Sequence, residues 1–330
     1  MPNIHPTITE TIRDYLDSIQ LSRSGNTART YKAALKAFSE TLNEKEIEPD
    51  QYCIDKLTED AIIWFATSLK EYSPATERLY LTAVTRFYEY LAAEKLSEIN
   101  LPRLRLLIRQ RSRRPGQRLP QFPRDAIEKI IGYTQTLRVQ PVENDAEHLR
   151  NLRDRAFLLV LADTGLRVHE ACELRRGDID WNEGKAIVTG KGDRQAVVRM
   201  SSRSISAIKD YINTRAVIDG SSGRTLSSLP LFARHDRGAG NKIKPITTTT
   251  GRNIVKNRVR ECLGEEAVGS ITPHSFRHYF VTTVLRGSGG NLKLAQELAR
   301  HKNISVTQRY AHLADDELDK GYHDIFEDQP

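Results

Sequence analysis

The sequence predicts a mainly α-helical protein with two domains and a small antiparallel β-sheet in the second domain. Apolar residues recur at helical spacing through the first hundred residues. Three short segments near the middle of the chain, residues 178–181, 185–189 and 196–200, are instead rich in β-branched residues and separated by turn residues. A proline-rich segment, residues 101–124, lies between the two regions. A chain of 330 residues is long enough to bury a core in each domain.

Residues 1–100 are predicted to form an all-α domain. Four helical patterns cover residues 8–19, 27–42, 58–72 and 74–96. Ser24 and Asn26 lie at the start of the second pattern, and Ser73 and Pro74 begin the fourth, which is the usual order of a capping residue and a first-turn proline. The fourth pattern carries six residues that we expect in the core: Leu79, Leu81, Val84, Phe87, Tyr88 and Leu91.

Residues 101–124 are predicted to form a basic interdomain linker. The segment contains no acidic residue, and its prolines break helices and favour extended backbone. Because its arginines have no acid within the segment to pair with, we expect them to be neutralised by the phosphates of a nucleic acid. These arginines are Arg103, Arg105, Arg109, Arg111, Arg113, Arg114, Arg118 and Arg124.

The second predicted domain covers residues 125–330. An apolar helix at residues 149–162 is followed by the three strands, which form an antiparallel sheet with tight turns, and helices dominate after Ser202. The loop of residues 220–244 is rich in Gly, Ser and Arg. Two interpretations of it stay open: an insertion that contacts nucleic acid, or a mobile surface loop.

Composition narrows the class of protein. The formal net charge of +7 and the pI near 9.2 make a polyanionic partner plausible. There is no apolar run near the roughly 18 residues of a membrane span, and the N-terminus lacks the pattern of a secretory signal, so we expect a cytoplasmic protein. Cys53, Cys172 and Cys262 form no C-x-x-C pair and are expected to be reduced, buried side chains, neither a zinc site nor a disulfide frame.

The motif T-G-L-R-V-H-E places Arg167 three residues before Glu170. A guanidinium stays protonated at neutral pH and offers a planar fork to two phosphate oxygens, which suits stabilisation of a phosphoryl transition state. The same spacing suits a plain ion pair between the two side chains on one helical face. The motif alone leaves both interpretations open.

The C-terminal segment T-P-H-S-F-R-H places His274 and Arg277 one helical turn apart at a helix start, where free backbone N–H groups favour an anion. His301 follows the predicted helix of residues 292–299. Tyr310 carries a phenol with an ordinary pKa of about 10, which must lose its proton to act as a nucleophile. Lys191 lies between glycines at a hairpin tip, either as an ammonium that reaches into a groove or as an exposed turn residue.

Six residues of this chain resemble the active site of the tyrosine recombinases, the site-specific DNA recombinase and integrase family. They are Arg167, Lys191, His274, Arg277, His301 and Tyr310. The resemblance spans the chain and is strongest to the Xer or simple phage-integrase type. It implies a SAM-like helical core-binding domain, a basic linker, and a catalytic domain with a C-terminal tail helix. It also implies that DNA is cleaved and rejoined through a 3′-phosphotyrosine, without metal or ATP.

The resemblance implies a role for individual residues. In the family the first arginine is catalytic and the acid three residues later holds it, which assigns structural support to Glu170. The family's lysine protonates the departing 5′ oxygen, and a histidine or tryptophan at the position of His301 touches the phosphate. The family more often has Leu-Gly-His where this chain has Ala-Arg-His, so Arg300 either alters the turn or adds a phosphate contact.

The partner that the resemblance implies is duplex DNA with inverted-repeat core sites of about 11 base pairs per arm, bound by a tetrameric synaptic complex in the nucleoid. A partner recombinase stays open. Residues 313–326 are expected to dock on a neighbouring protomer or to pack on their own domain. Two other classes also fit the pattern: a type IB topoisomerase, which uses the same residue types without site preference, and a DNA-binding regulator that has lost catalysis.

Overall fold

The computed structural model of the chain describes residues 6–113, 123–190, 194–236, 243–308 and 310. The chain divides into two compact units, Met1–Arg118 and Leu119–Pro330. The secondary structure of the described residues is helical apart from one three-stranded antiparallel sheet and isolated bridges, so the predicted fold class is confirmed. No helix among these residues has the length and hydropathy needed to cross a membrane.

The N-terminal unit contains five α-helices. The predicted caps are present: the Ser24 and Ser73 hydroxyls accept hydrogen bonds from the backbone N–H groups of Thr27 and Thr76. The third helix is shorter than its pattern because the chain tightens into a 3₁₀ turn at Leu69–Glu71. The helices are α1 (Ile8–Ser22), α2 (Gly25–Asn43), α3 (Ala61–Ser68), α4 (Pro74–Ala93) and α5 (Leu101–Arg111).

Residues 101–111 form helix α5 and are not extended. Its residues were predicted to be extended, but Pro102 occupies the first turn, where its missing N–H would have no helical partner anyway. Asn100 caps the helix by accepting from the Arg103 N–H, and Leu104 and Leu107 are buried in the core of the N-terminal unit. The first half of the basic segment is therefore a packed helix. Residues 114–122 lie outside the described residues.

Aromatic rings fill the core of the N-terminal unit. Phe38 packs edge-on against Phe65, and Phe87 lies 5.5 Å from Tyr15 between ring centroids. Five of the six predicted core residues of α4 are buried, whereas Leu79 is 48% exposed. Leu79 is five residues from Val84 and so lies about 140° around the helix from it, which places it off the buried face.

The C-terminal unit is organised around its longest helix, which packs against several neighbouring helices and whose residues from Leu152 to Ala162 are all buried. The helices of this unit are α6 (Arg124–Thr136), α7 (Asp145–Thr164), α8 (Val168–Glu173), α9 (Ser202–Thr214), α10 (Ala216–Gly220), α11 (Thr248–Leu263), α12 (Pro273–Gly287), α13 (Leu292–Ala299) and α14 (Ile304–Gln308). Helix α7, the longest among the described helices of this unit, ends at Gly165, whose left-handed φ of 60° favours glycine.

The predicted sheet is present, with strand order β1-β2-β3 and antiparallel pairing. Its strands are β1 (Ile179–Asp180), β2 (Lys185–Gly190) and β3 (Arg194–Arg199). Ala186 and Val198 are opposite one another on the buried face, and Ile187 faces Val197 on the outer face. Lys191 lies outside the described residues, between the ends of β2 and β3.

The loop of residues 220–244 is partly a core element. Three of its residues are buried: Leu229, Leu231 and Phe232. Neither of the two interpretations of the loop predicts this burial. The fully buried Arg215 guanidinium donates to the carbonyls of Pro230 and Leu231 and pairs with Asp219. A buried charge is stable only with such partners, so these bonds fix the segment. Residues 237–242 lie outside the described residues.

Candidate active site

Arg167 lies at the turn between α7 and α8. Its backbone N–H donates to Glu170 Oε2 at 2.8 Å, and its guanidinium donates to Oε1 at 3.0 Å. Glu170 is buried, whereas the Arg167 side chain is 47% exposed. The ion pair and the binding role, which the sequence left as alternatives, are therefore compatible: the carboxylate holds one edge of the guanidinium while the rest faces outward.

Glu170 is shared with Arg300, whose guanidinium lies 3.0 Å from Oε2. Burial raises the pKa of the Glu170 carboxyl, but the hydrogen bond from the Arg167 backbone and the charges of Arg300 and Arg167 outweigh it, so the pKa lies below its usual range. Glu170 is therefore ionised at neutral pH. The two guanidinium groups compete for a single negative charge.

Arg300 adopts a left-handed φ of 56° at the end of α13. A residue with a Cβ is strained there by about 1 kcal/mol relative to glycine. The turn that glycine favours is thus kept in this chain despite the side chain. The guanidinium folds inward to Glu170, and its buried Nε has no hydrogen-bond partner among the described residues.

Arg277 is buried on α12 and joins two helix ends. Its guanidinium donates to the carbonyl of Gly165 at 2.5 Å and to the carbonyl of Ala299. Burial, followed by the charges of Arg167 and Arg300, lowers the pKa of Arg277 to about 10, with Glu170 opposing the shift. The group remains protonated at neutral pH. We call Arg167, Arg277 and Arg300 the arginine cluster.

Tyr310 lies with three histidines beside this cluster. Its ring is buried in a small apolar group formed by Val281, Leu285, Ala295 and Ala299. The ring centroid of His301 lies 6.4 Å away in a stacked arrangement, and that of His278 lies 5.0 Å away. The Tyr310 hydroxyl shares a hydrogen bond with His278 Nδ1.

His274 contacts the His278 ring of this group, and His301 contacts the Tyr310 ring. The His274 ring lies 4.3 Å from the His278 ring, one helical turn along α12. The His301 Nδ1 is hydrogen-bonded to the Thr307 hydroxyl at 2.8 Å, which fixes the orientation of its ring. The structure therefore brings five of the six predicted catalytic residues into one region, and the sixth, Lys191, lies outside the described residues.

His278 was named in the sequence only as part of the family's spacing. Its position was nevertheless available as a signal, because histidines four residues apart on a helix share one face. His274 and His278 have this spacing on α12. The pattern gave no hint of the contact with Tyr310, which is 32 residues further along the chain.

A cavity of about 600 Å³ opens beside the arginine cluster. Arg167, His274 and Arg277 line one side of it, and Arg252 and Lys256 of α11 line another. No acidic residue is among the described residues that line it. The cavity thus has the charge and the hydrogen-bond donors that a phosphate requires.

The arginines of the basic segment, residues 101–124, form more ion pairs than the sequence predicted. No acid lies within the segment, but three of its arginines pair with acids elsewhere in the N-terminal unit, and Arg124 pairs with Glu128. The expectation that phosphates neutralise these four arginines is therefore not supported. Arg103 pairs with Glu59 and Asp60, Arg105 pairs with Glu89, and Arg113 pairs with the buried Glu77. Arg109 is exposed and Arg111 is half-buried, and Arg114 and Arg118 lie outside the described residues.

The cysteines are all unpaired thiols, as expected, but only Cys172 is buried. Burial raises its pKa to about 12, so the thiol is neutral and unreactive at physiological pH. Cys53 and Cys262 are half-buried. Among the described residues, no group of three or more His, Cys, Asp or Glu side chains could hold a metal ion.

Comparison with known proteins identifies the family of this chain. The chain matches the phage integrase family over residues 122–317 and the N-terminal SAM-like domain of phage integrases over residues 12–95. The tyrosine recombinase XerC of Thermodesulfovibrio yellowstonii is 28% identical, over 92% of this chain and 91% of its own. The XerC of Bacillus subtilis is 30% identical, over 73% of this chain and 71% of its own.

A solved structure shares the fold. The XerH site-specific recombinase, crystallised with a palindromic difH substrate as a post-cleavage complex, gives a TM-score of 0.65 at 17% identity, and the match covers 90% of this chain and 79% of that one. The helical fold and the site together define a tyrosine recombinase, an enzyme that cleaves and rejoins DNA at specific sites. The chain belongs to the phage integrase family.

Proposed function

We propose that Tyr310 is the nucleophile of strand cleavage. Its phenol oxygen attacks the scissile phosphorus, a Tyr310 O–P bond forms, and the bond to the 5′ oxygen breaks, which leaves a 3′-phosphotyrosine and a free 5′ hydroxyl. The observation that carries this proposal is the place of the phenol: it lies among three histidines, and its charge interacts with the guanidinium of Arg277.

Arg167 and Arg277 hold the scissile phosphate and stabilise the charge that builds up on its oxygens. Arg167 has an exposed edge for this purpose, and Arg277 lines the same cavity. The arginine cluster has three positive charges against the one carboxylate of Glu170, and the excess suits a dianionic five-coordinate state. Glu170 supports Arg167, and His274 and His301 contact the phosphate from the two sides of Tyr310.

Lys191 protonates the 5′ oxygen as it departs. An ammonium on a flexible side chain can donate a proton, and Lys191 directly follows β2 in the sequence. Since the covalent intermediate keeps the energy of the broken bond, rejoining needs no ATP. We expect cleavage to proceed without metal.

The DNA that the enzyme recognises is proposed to carry inverted-repeat core sites, each arm about one helical turn long. Four protomers assemble on two such sites, and the chain acts in the cytoplasm at the nucleoid, alone or with a partner recombinase. Arg109 and Arg111 of α5 contact DNA phosphates, together with Arg114 and Arg118. Arg103, Arg105 and Arg113 contribute less, because their charges are already paired.

Replacement of Tyr310 by phenylalanine tests the proposal. The ring still packs, so Tyr310→Phe should bind DNA as the wild type does and should form no covalent adduct on a nicked site in a denaturing gel. Cleavage by the wild type should persist in chelator. An adduct that persists in the variant would move the nucleophile to Tyr279 or Tyr322, and relaxation of plasmids that lack a target site would favour a type IB topoisomerase.

A further inference from the structure

The proposed function leaves one proton without a destination. Tyr310 must lose its phenolic proton as it attacks, because an un-ionised phenol with a pKa of about 10 is a weak nucleophile at neutral pH. A general base has to lie within hydrogen-bond reach of that proton. The structure gives the Tyr310 hydroxyl such a neighbour on α12.

We propose that His278 is a further catalytic residue, the general base that takes the proton of Tyr310 during attack. The inference rests on the proposed function of Tyr310 as the nucleophile. Its basis is the hydrogen bond between the Tyr310 hydroxyl and His278 Nδ1, with the two rings 5.0 Å apart and tilted by 46°. With its own proton on Nε2, the neutral imidazole presents Nδ1 as the acceptor and the phenol is the donor.

The helix that carries His278 is held firmly. Pro273 occupies the first turn of α12, Phe276 is buried in the main core, and Arg277 joins the ends of α7 and α13. The half-buried His278 therefore keeps its position relative to the pocket that holds Tyr310. A fixed base lowers the cost of bringing the donor and the acceptor together.

His301 is the other imidazole beside Tyr310, and its geometry suits a different task. Its ring is stacked on the tyrosine ring with an interplanar angle of 15°, and its Nδ1 is hydrogen-bonded to the Thr307 hydroxyl. A stacked ring supports the position of the phenol, whereas a ring nitrogen hydrogen-bonded to the hydroxyl can accept its proton. The hydroxyl-to-nitrogen contact points to His278.

The surroundings of His278 favour the products of this transfer. The positive charge of Arg277 interacts with Tyr310 and stabilises a phenolate. The His274 ring lies 4.3 Å from the His278 ring and limits how far the His278 ring can move.

The step balances. The phenol proton moves to His278 Nδ1, the phenolate oxygen forms its bond to phosphorus, and the bond between phosphorus and the 5′ oxygen breaks as Lys191 supplies a proton to that oxygen. In rejoining, Lys191 takes back the proton of the 5′ hydroxyl as its oxygen bonds to phosphorus, the phosphotyrosine bond breaks, and His278 returns the proton to the phenolate. Both steps follow the same path in opposite directions.

The test compares His278→Asn with His278→Ala in single-turnover adduct formation on a nicked duplex that the wild type cleaves. The asparagine amide oxygen can accept the phenol hydrogen bond near the position of Nδ1, but it cannot take the proton. If His278 is the base, both variants should lose on the order of 100-fold or more in the cleavage rate. If His278→Asn stays within about threefold of the wild type, by the same rate scale, the histidine only positions the tyrosine and the inference is wrong.

A second substrate separates nucleophile activation from protonation of the leaving group. A phosphorothiolate with sulfur in place of the 5′ oxygen has a leaving group that needs no acid. The His278→Asn defect should persist on it; recovery of the wild-type rate would assign His278 to the leaving group and overturn the inference. Thr283→Ala, at an exposed position of the same helix, is the matched control and should cleave normally.

Two further measurements keep the outcomes distinct. DNA affinity and thermal unfolding of His278→Asn should match those of the wild type. If His278→Asn is unfolded, His278→Gln, which also cannot accept the proton, is used in its place. Tyr310→Phe is run beside them. An adduct in Tyr310→Phe would overturn the proposed nucleophile itself. Adduct formation that requires Tyr310 but is unchanged by the His278 substitutions would overturn only the role of the histidine.

Discussion

Helix α5 and the arginine cluster are both rich in guanidinium groups, but the two regions neutralise them differently. In α5 and the two residues after it, Arg103, Arg105 and Arg113 each have a carboxylate from another part of the N-terminal unit. In the cluster, Arg167 and Arg300 both pair with Glu170, while Arg277 binds backbone carbonyls. The density of positive charge in the sequence is thus a poor guide to where unneutralised charge lies in the fold.

The difference has a physical consequence for phosphate binding. A guanidinium that already has a carboxylate partner must give up that ion pair before it gains from a phosphate, so its net contribution is small. The cluster keeps an excess of positive charge in a partly buried site, where electrostatic interactions are less screened. We therefore expect the cluster to govern cleavage and α5 to govern the stability of its own unit.

The largest expected effect is on cleavage. Arg167→Ala and Arg277→Ala should each slow single-turnover cleavage by on the order of 100-fold or more, because each removes a charge that interacts most strongly with the transition state. DNA affinity should fall much less. Arg109→Ala, at an exposed arginine of α5 that we assign to DNA binding, is the comparison: it should weaken DNA binding but leave the cleavage rate of the fully bound complex nearly unchanged. Equal losses in all three variants would remove the distinction between the two regions.

The next effect concerns stability. Glu77 is buried and accepts from Lys70 at 2.7 Å and from the Arg113 backbone at 2.9 Å, as well as from the Arg113 side chain. Glu77→Gln should destabilise the N-terminal unit by about 2 kcal/mol, since two cations lose their shared partner. Glu40→Gln, which removes an exposed i,i+4 pair with Lys36, should change stability by only about 0.3 kcal/mol. Thermal unfolding of the whole chain measures both.

The Glu77 carboxylate also makes the stability of the N-terminal unit depend on pH. Burial raises the pKa of Glu77, but the hydrogen bonds from Lys70 and Arg113 outweigh it and lower the pKa below its usual value. A depressed pKa stabilises the fold above the unfolded carboxyl's value of about 4.3, and this stabilisation is lost as pH falls through the lowered value. The stability gap between wild type and Glu77→Gln should shrink with acid; a gap that stays constant to low pH would contradict the ion-pair account.

A smaller effect tests the turn at Arg300. Arg300→Gly and Arg300→Ala both remove the ion pair with Glu170, but only glycine relieves the left-handed backbone. The glycine variant should be more stable than the alanine variant by about 1 kcal/mol. Denaturant unfolding of the two proteins measures the difference. Equal stabilities would mean that the left-handed turn stores no strain.

The smallest effect is on the salt dependence of DNA affinity. Arg109→Gln with Arg111→Gln should flatten the slope of log affinity against log salt by up to about 1.8, at about 0.9 for each phosphate that is no longer neutralised. Arg103→Gln with Arg105→Gln should flatten it less, because those side chains already have carboxylate partners. If the second pair changes the slope as much as the first, internal pairing does not keep α5 arginines from DNA.

The sequence predicted the elements that depend on local signals. Ser24 and Ser73 mark helix starts through caps a few residues away, and the turns between the strands are equally local. The pairing of Arg103 with Glu59 spans 44 residues, and that of Arg113 with Glu77 spans 36. Such pairings depend on how helices pack, so charge counting within residues 101–124 could not find them.

The same limit applies to the site. Motif spacing gave Arg167, His274, Arg277, His301 and Tyr310, and the fold brings them together. It could not give the inward turn of Arg300 to Glu170, 130 residues away, nor the hydrogen bond of His278 with Tyr310. The burial of Leu229, Leu231 and Phe232 was missed for a related reason: a polar, glycine-rich loop gave no sign that Arg215 binds its backbone.

Arg277 links the proposed active site to the ends of two helices. Its guanidinium is bound to the carbonyl of Gly165 at the end of α7, the most buried helix, and to that of Ala299 at the end of α13. Neither helix end can fray without losing a hydrogen bond to Arg277, which we propose holds the phosphate. Catalytic competence and the C-terminal core should therefore be lost in a single cooperative transition, with no warm, folded but inactive state between them.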